Sequence, residues 1–248
     1  MNSLSGKIAI VTGGSRGIGA AIATRLAADG AAVAVNYATH ESDANDVVQN
    51  IVQAGGKGIA IRADVSKAED VRLLFNAVAE RFEGLDMLIN NAGATHIRPK
   101  PIANATDEIY DWTFAVNTKG TFLCLREAAN RMRSGGRIVN LSSTGVFDAH
   151  PGYAIYSAAK SAVEIFTRAL CKELKGRNIT VNCVAPGATA TEQWLKGKSE
   201  DLLQTIAKLS PLNRLGTPED IAGLVAFLAS PQGEWINGQI IRVNGGFA

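Results

Sequence analysis

Short apolar runs alternate along this chain with longer amphipathic stretches. The apolar runs, at 8–11, 32–35, 58–61, 87–89, 137–141, 180–184 and 239–243, predict seven strands. Between them lie helical patterns near 17–29, 42–54, 67–82, 107–133, 153–175 and 218–229. Ser66 and Thr217 are predicted helix starts, the latter with Pro218 at the first helical position. Strand and helix taking turns predicts an α/β fold: a parallel sheet with helices on both faces. Right-handed crossovers and a glycine turn after the first strand give the doubly wound order 3-2-1-4-5-6-7. No linker, repeat or low-complexity tract interrupts the pattern, so one domain over 1–248 is expected. The stretch 188–215 breaks the alternation and carries a short helical pattern at 200–209. It reads as a lid over a substrate, with a purely structural excursion as the alternative.

Composition narrows the classes. With 46% hydrophobic and 19% charged residues and a net charge of +2, the 248-residue chain has ordinary globular proportions. No basic run interleaved with aromatics points to nucleic acid, and the basic residues from Arg126 to Arg133 read as a solvated helix face. No stretch approaches 18 uninterrupted apolar residues, so no membrane span is expected, and the first strand begins too early for a signal peptide. Cys124, Cys171 and Cys183 fit neither a disulfide framework nor a metal site and read as small buried side chains, which favours a cytoplasmic location. His40, His96 and His150 lack metal spacing, no G-x-S-x-G elbow is present, and the acids from Glu41 to Asp46 read as a solvated helix start. No metal is expected.

Four stretches carry candidate chemistry, and each falls at the carboxyl end of a predicted strand or on the helix beside it. Thr12-Gly-Gly-Ser-Arg-Gly-Ile-Gly19 lies between the first strand and the first helix, the context of a dinucleotide fingerprint. Gly13 permits the turn, Gly17 admits a pyrophosphate to the backbone, and Gly19 lets the helix pack close. Its spacing is G-x-x-x-G-x-G, so a plain glycine-rich turn is the competing reading. Asn90-Asn-Ala-Gly93 follows the fourth strand and Ser142-Ser143 the fifth. Tyr156 and Lys160, four apart, share one face of a predicted helix. A cation beside a phenol lowers its pKa and makes it a usable acid or base near neutrality. A packed ring and a solvated amine is the bland alternative.

These residues, in this order and spacing, resemble the short-chain dehydrogenase/reductase family. The resemblance spans essentially the whole chain: Thr12 to Gly19, Asp64, Asn90 to Gly93, Asn117, Ser143, Tyr156, Lys160, Pro186-Gly187 and the closing Arg242-Val-Asn-Gly-Gly246. Within the family the chain is most similar to 3-oxoacyl-acyl-carrier-protein reductases and related carbonyl reductases. The resemblance implies hydride transfer between a nicotinamide and a carbonyl or alcohol. Tyr156 would be the proton donor, Ser143 the donor that polarises the substrate oxygen, and Lys160 a ribose contact that also tunes Tyr156. Asn117 would distort its helix and hold a water beside the lysine. Ser142 is left a supporting role, because the thirteen residues from Ser143 to Tyr156 match the family interval.

The cofactor contacts implied are Gly13, Ser15, Arg16, Gly17, Ile18 and Gly19 at the phosphates, and Asp64 with Val65 at the adenine. Asn91, Ala92 and Gly93 would border the riboses, and Pro186, Gly187, Thr189 and Thr191 the carboxamide and pyrophosphate. NAD-preferring members usually end strand two with an acid; Tyr37 stands there instead, and Arg16 adds a cation, so NADP(H) is expected. Asn36, Thr39 and His40 are further candidate contacts. A carrier-protein reductase also needs a basic mouth, for which Arg126, Arg131, Arg133 and Lys172 are the candidates. The alternatives are an alcohol, sugar or steroid dehydrogenase, or a non-catalytic dinucleotide sensor; an intact Asn117, Ser143, Tyr156 and Lys160 set argues against the sensor. The helical stretches 107–132 and 154–174 flank the fifth strand, and the second is apolar beyond one stripe, with Val163, Ile165, Phe166, Ala169 and Leu170 around it. The family solution, a homotetramer of 222 symmetry with Phe247 near a subunit contact, is expected.

Overall fold

The structure is a computed structural model that describes residues 3–94 and 99–248. Seven strands form one parallel sheet: β1 (Ile8–Val11), β2 (Ala32–Tyr37), β3 (Lys57–Arg62), β4 (Met87–Asn90), β5 (Arg137–Leu141), β6 (Thr180–Pro186) and β7 (Ile240–Val243). Their order is β3-β2-β1-β4-β5-β6-β7, as the alternation predicts. The helices are α1 (Gly17–Ala28), α2 (Glu41–Gln53), α3 (Ala68–Phe82), α4 (Asp107–Phe114), α5 (Gly120–Arg131), α6 (Gly145–Asp148), α7 (Ala154–Glu173), α8 (Glu192–Leu195), α9 (Glu200–Ala207) and α10 (Pro218–Ala229).

Successive strand residues point to opposite faces, and both faces are covered. Val11, Val33, Val35, Ile89, Val139 and Val184 pack on one side with Ile22, Leu26, Ile51, Val225 and Leu228 from α1, α2 and α10. Ile8, Ile10, Leu88, Ile138 and Val181 pack on the other with Leu74, Val78, Leu123 and Leu170 from α3, α5 and α7. Each such aliphatic side chain contributes about 1.5–3 kcal/mol of burial free energy. Burial on both faces is why the strands read as continuous apolar runs.

Three expectations change in detail. Strand two runs on through Asn36 and Tyr37, paired with Ile61 and Arg62. Asn36 is polar yet fully buried, because its side chain answers three backbone groups: Gly13 N–H at 3.2 Å and the carbonyls of Ala63 and Ile61 at 2.9 and 3.3 Å. Ser66 does not cap α3, whose first residue follows Lys67; its hydroxyl donates to Asp64 Oδ1 at 2.7 Å instead. Thr217 does cap α10, in a reciprocal box with Asp220. The single helix expected over 107–133 is α4 and α5 joined by a wide π turn, Ala115–Lys119. Arg133 lies beyond its end and reaches Glu83 O and Asp86, so it is no part of a solvated helix face. Among the described residues no helix is long and apolar enough to cross a membrane.

Candidate active site

The strands end together, and the motifs gather where they end. After β1 the chain turns through Gly13 and Gly14 into α1. Asn91, just past β4, ties that turn down: its Nδ2 donates to Thr12 O and Gly13 O at 2.9 and 3.0 Å. Thr12 Oγ1 returns the contact by accepting from the Asn91 and Ala92 amides, both at 3.0 Å. Gly19 must be glycine here, since a Cβ would lie 2.2 Å from Gly13 O. No side chain caps α1 and no acid sits in its first turn, which leaves the amides of Gly17, Ile18 and Gly19 and the positive end of the helix for an anion.

Gly93 lies between two buried polar groups. A Cβ there would stand 3.0 Å from Asn117 Oδ1 and 3.3 Å from Lys160 Nζ, so the backbone leaves open a cradle against both. Asn117 makes the π turn. Its Nδ2 donates to Thr113 O at 2.9 Å, the carbonyl that its own amide would take in an α-helix, and to Ala94 O at 2.7 Å. Its Oδ1 accepts from the Ala94 amide at 3.2 Å. The helix therefore widens where the asparagine is clamped, as the family resemblance implies.

β5 delivers the serines to the start of α7. Ser143 Oγ accepts from the Gly145 amide at 3.1 Å and lies beside the Tyr156 hydroxyl, whose pKa it lowers. Ser142 Oγ faces away from that pair and donates to Glu164 Oε1 at 2.8 Å. Lys160 is buried and its Nζ donates to Leu141 O at 2.8 Å. Burial pushes its pKa down to about 8.

Here the lysine differs from expectation. Its Nζ stands 5.9 Å from the centre of the Tyr156 ring and spends a hydrogen bond on the strand end. The phenol pKa is raised by burial, and the bond to Ser143 is what pulls it back. A buried ammonium must be paired, and the carbonyl at the end of β5 is the partner in reach. Ser143 thus holds the position against Tyr156 that spacing predicts, while Ser142 is committed elsewhere. Ser143→Ala is expected to lower turnover by about a hundredfold and Ser142→Ala far less, read by steady-state kinetics.

The adenosine side is also assembled. Arg16 Nη1 donates to His40 Nε2 at 2.9 Å, and His40 Nδ1 contacts Thr39 Oγ1 at 2.8 Å. Arg16 Nη2 reaches Gln193 Oε1 at 3.4 Å, in α8. Arg16 as the donor requires Nε2 to be the acceptor, which puts the proton of a neutral imidazole on Nδ1. Tyr37 does not join this group. Its ring is buried in the core beside α2 and its hydroxyl lies near Glu41, so it marks the missing acid without joining the Arg16 group. Asp64 receives the Ser66 amide and hydroxyl, and Val65 is buried beneath Gly120. Ser15 is buried in the glycine turn, Thr189 Oγ1 donates to Gly187 O at 3.0 Å, and Thr191 caps α8. Pro186 ends β6 and accepts from the Thr144 amide.

The uncapped helix, the cradle at Gly93 and the cation at Arg16 fit a nicotinamide dinucleotide phosphate laid across the strand ends. His96 lies outside the described residues. Among the described residues no group of three or more metal-ligating side chains exists. Glu164 and Gln193 were not legible as site residues, although Glu164 stands one turn beyond Lys160 on the stripe that carries Tyr156.

Comparison with known proteins agrees with this geometry. Residues 13–248 match the family model described as enoyl-(acyl carrier protein) reductase. The chain is 45% identical, over 98% of its length and 95% of the relative's, to an NADPH-dependent aldehyde reductase-like chloroplastic protein of Arabidopsis thaliana. It is 46% identical, over 98% of its length and 93% of the relative's, to a short-chain type dehydrogenase/reductase of Picea abies. A short-chain dehydrogenase from Burkholderia cenocepacia, solved in complex with NADP, superposes with a TM-score of 0.92 at 40% identity, covering 98% of each chain.

Proposed function

The chain belongs to the short-chain dehydrogenase/reductase family, and on that premise we propose that it reduces a small ketone or aldehyde with NADPH. One observation carries the reading: Ser143 and Tyr156 meet over the buried Lys160 at the end of β5, beside the open cradle at Gly93. Two hydroxyl donors side by side suit one substrate oxygen that becomes an alkoxide. Tyr156 gives that oxygen its proton, and Ser143 holds it and keeps the phenol's pKa from rising further. A bound nicotinamide supplies the hydride. Lys160 anchors the ribose side of the site, and Asn117 keeps Gly93 and Ala94 at the distance the cradle needs. Asp64 and Val65 border the adenine pocket.

NADPH is favoured because Arg16, His40 and Thr39 face the position of a 2′-phosphate and Tyr37 replaces the acid that ends strand two in NAD-preferring members. Arg16→Ala is expected to weaken NADPH binding about tenfold or more and NADH binding by less than about twofold. Fluorescence titration of both cofactors measures it.

The carbonyl is proposed to be a free small molecule. The basic residues a carrier protein would need do not ring the site. Arg133 joins Asp86 at the start of β4, Arg131 pairs with Glu127 and Asn76, and Arg126 stacks on Phe122. Lys172 lies three turns along α7 from Lys160. NADPH oxidation with a panel of ketones, aldehydes, a 3-oxoacyl thioester and an enoyl thioester tests this. Activity on free carbonyls supports it; activity confined to either thioester refutes it.

The stretch 188–215 is proposed to close over the substrate. It carries α8 and α9, α9 buries none of its residues, and the stretch hinges on the bridge from Thr189 to Gly216. The enzyme is proposed to be a homotetramer. Phe122, 44% exposed, lines with Phe114, Thr118 and Phe166 a groove of about 380 Å³ between α4, α5 and α7, and Ile165 on α7 is 54% exposed. β7 offers a second, unpaired sheet edge beside Phe247. A cytoplasmic, reducing location is proposed for a chain whose three thiols are unpaired.

A further inference from the structure

Three consecutive residues leaving β5 each hold one side chain of α7. Leu141 O accepts from Lys160, Ser142 Oγ donates to Glu164 Oε1 at 2.8 Å, and Ser143 lies beside the Tyr156 hydroxyl. On α7 the partners Tyr156, Lys160 and Glu164 are spaced by four, so they form one stripe against the strand end. Two of these rungs belong to the proposed chemistry. The Ser142–Glu164 rung does not, and packing alone gives no reason for it. Val163, Thr167 and Leu170 already dock α7 on the sheet with apolar burial and a hydroxyl bond to Asn140. A half-buried carboxylate facing a buried serine is a costly way to add adhesion unless its hydrogen bond does something more.

We propose that Glu164 is a positioning residue for the reaction: by accepting from Ser142 Oγ, it sets the direction in which the chain leaves β5. That direction places Ser143 against Tyr156 on one side and Leu141 O against Lys160 on the other. The inference rests on the carbonyl-reductase reading above. On the far side, the Thr144 amide bonds Pro186 O, so the serine turn is held by β6 and by Glu164 together. Without the Glu164 rung the middle residue of the turn loses its partner on α7, leaving Leu141 O on Lys160 and Gly145 O on Ser157 to hold that side, and catalytic pairs tolerate only about 0.5 Å of drift. The titratable neighbour of Lys160 is Cys183 on β6, which Glu164 on α7 also faces. The Cys183 thiol is pushed up to about 12 by burial and stays neutral at working pH. Asn117, on the opposing π turn, carries no charge.

The test uses Glu164→Leu, Glu164→Gln and Ser142→Ala in the full chain. Glu164→Leu and Ser142→Ala are each expected to lower kcat about tenfold with KM for the carbonyl within about twofold, the signature of misplacement rather than lost binding. The double variant is expected to be no worse than either single one, because both remove one bond. Glu164→Gln keeps an acceptor for Ser142 and is expected to stay within about threefold of the native enzyme. Independently of any substrate, tyrosinate absorbance is titrated as the difference between each protein and its Tyr156→Phe counterpart. The Tyr156 phenol is expected to titrate about half a pH unit or more higher in Glu164→Leu and Ser142→Ala, as its bond to Ser143 loosens. An unchanged phenol titration, additive losses, or Glu164→Gln as impaired as Glu164→Leu would each overturn the proposal. Ser142→Ala, which removes one oxygen, makes both measurements if the leucine variant fails to fold. A shifted phenol in a protein that reduces no carbonyl would refute the reaction and leave the positioning standing.

Discussion

Tyr156→Phe is expected to lower turnover by about a thousandfold, with NADPH affinity within about twofold of the native enzyme. The ring stays and only the hydroxyl goes, so the shape of the site and its cofactor contacts survive. Lost with the hydroxyl is the proton that must reach the developing alkoxide. Ser143 cannot replace it, since its hydroxyl has no base behind it and already accepts from the Gly145 amide. Stopped-flow NADPH oxidation with equilibrium cofactor titration decides the matter. Retention of a tenth or more of native turnover would mean that the proton comes from elsewhere.

The second large effect is Lys160→Met. Turnover is expected to fall about a hundredfold or more and NADPH to bind about tenfold more weakly, because the ammonium holds the end of β5 beside Ser143 and would hold the cofactor's ribose. A pH signature accompanies it. Burial holds the folded-state pKa of Lys160 near 8, below its ordinary 10.5. Below pH 8 the lysine is charged in both folded and unfolded chains, and the cost of burying the charge is paid in full. Between about 8 and 10.5 the unfolded chain binds more protons, so native stability without cofactor should rise with pH relative to Lys160→Met. Native turnover should fall over the same range as the ammonium is lost. Urea melts of both proteins across that window, beside kcat profiles, test the pair of trends. Parallel stability curves would show that the lysine is not buried in its charged form.

Much of this site was legible because parallel α/β sheets put ligands at the strand ends. Glycines, Asn90 to Gly93, the serine pair and the Tyr156–Lys160 pair all follow or flank strand ends in the sequence. The family interval to Tyr156 separated Ser143 from Ser142. What was illegible depends on partners distant in the chain. Counting from Gly30 put Tyr37 at the position of the strand-two acid, but no count could say that its ring turns into the core beside α2. Lys160 looked like the modulator of the phenol, yet its nearest acceptor is a backbone carbonyl nineteen residues earlier. Arg133 read as part of a helix face because its partners, Glu83 and Asp86, lie some fifty residues away.

By itself the sequence determined the seven strands, their parallel order and the two covered faces, each encoded in periodicity of two or 3.6, while the candidate reacting residues came from its resemblance to a known family. Only the tertiary structure decided the π turn at Asn117, the bond between Arg16 and His40, and the three rungs from Leu141, Ser142 and Ser143 to α7. Those depend on which buried donors and acceptors come within about 3 Å once the helices dock, and no local pattern carries that information.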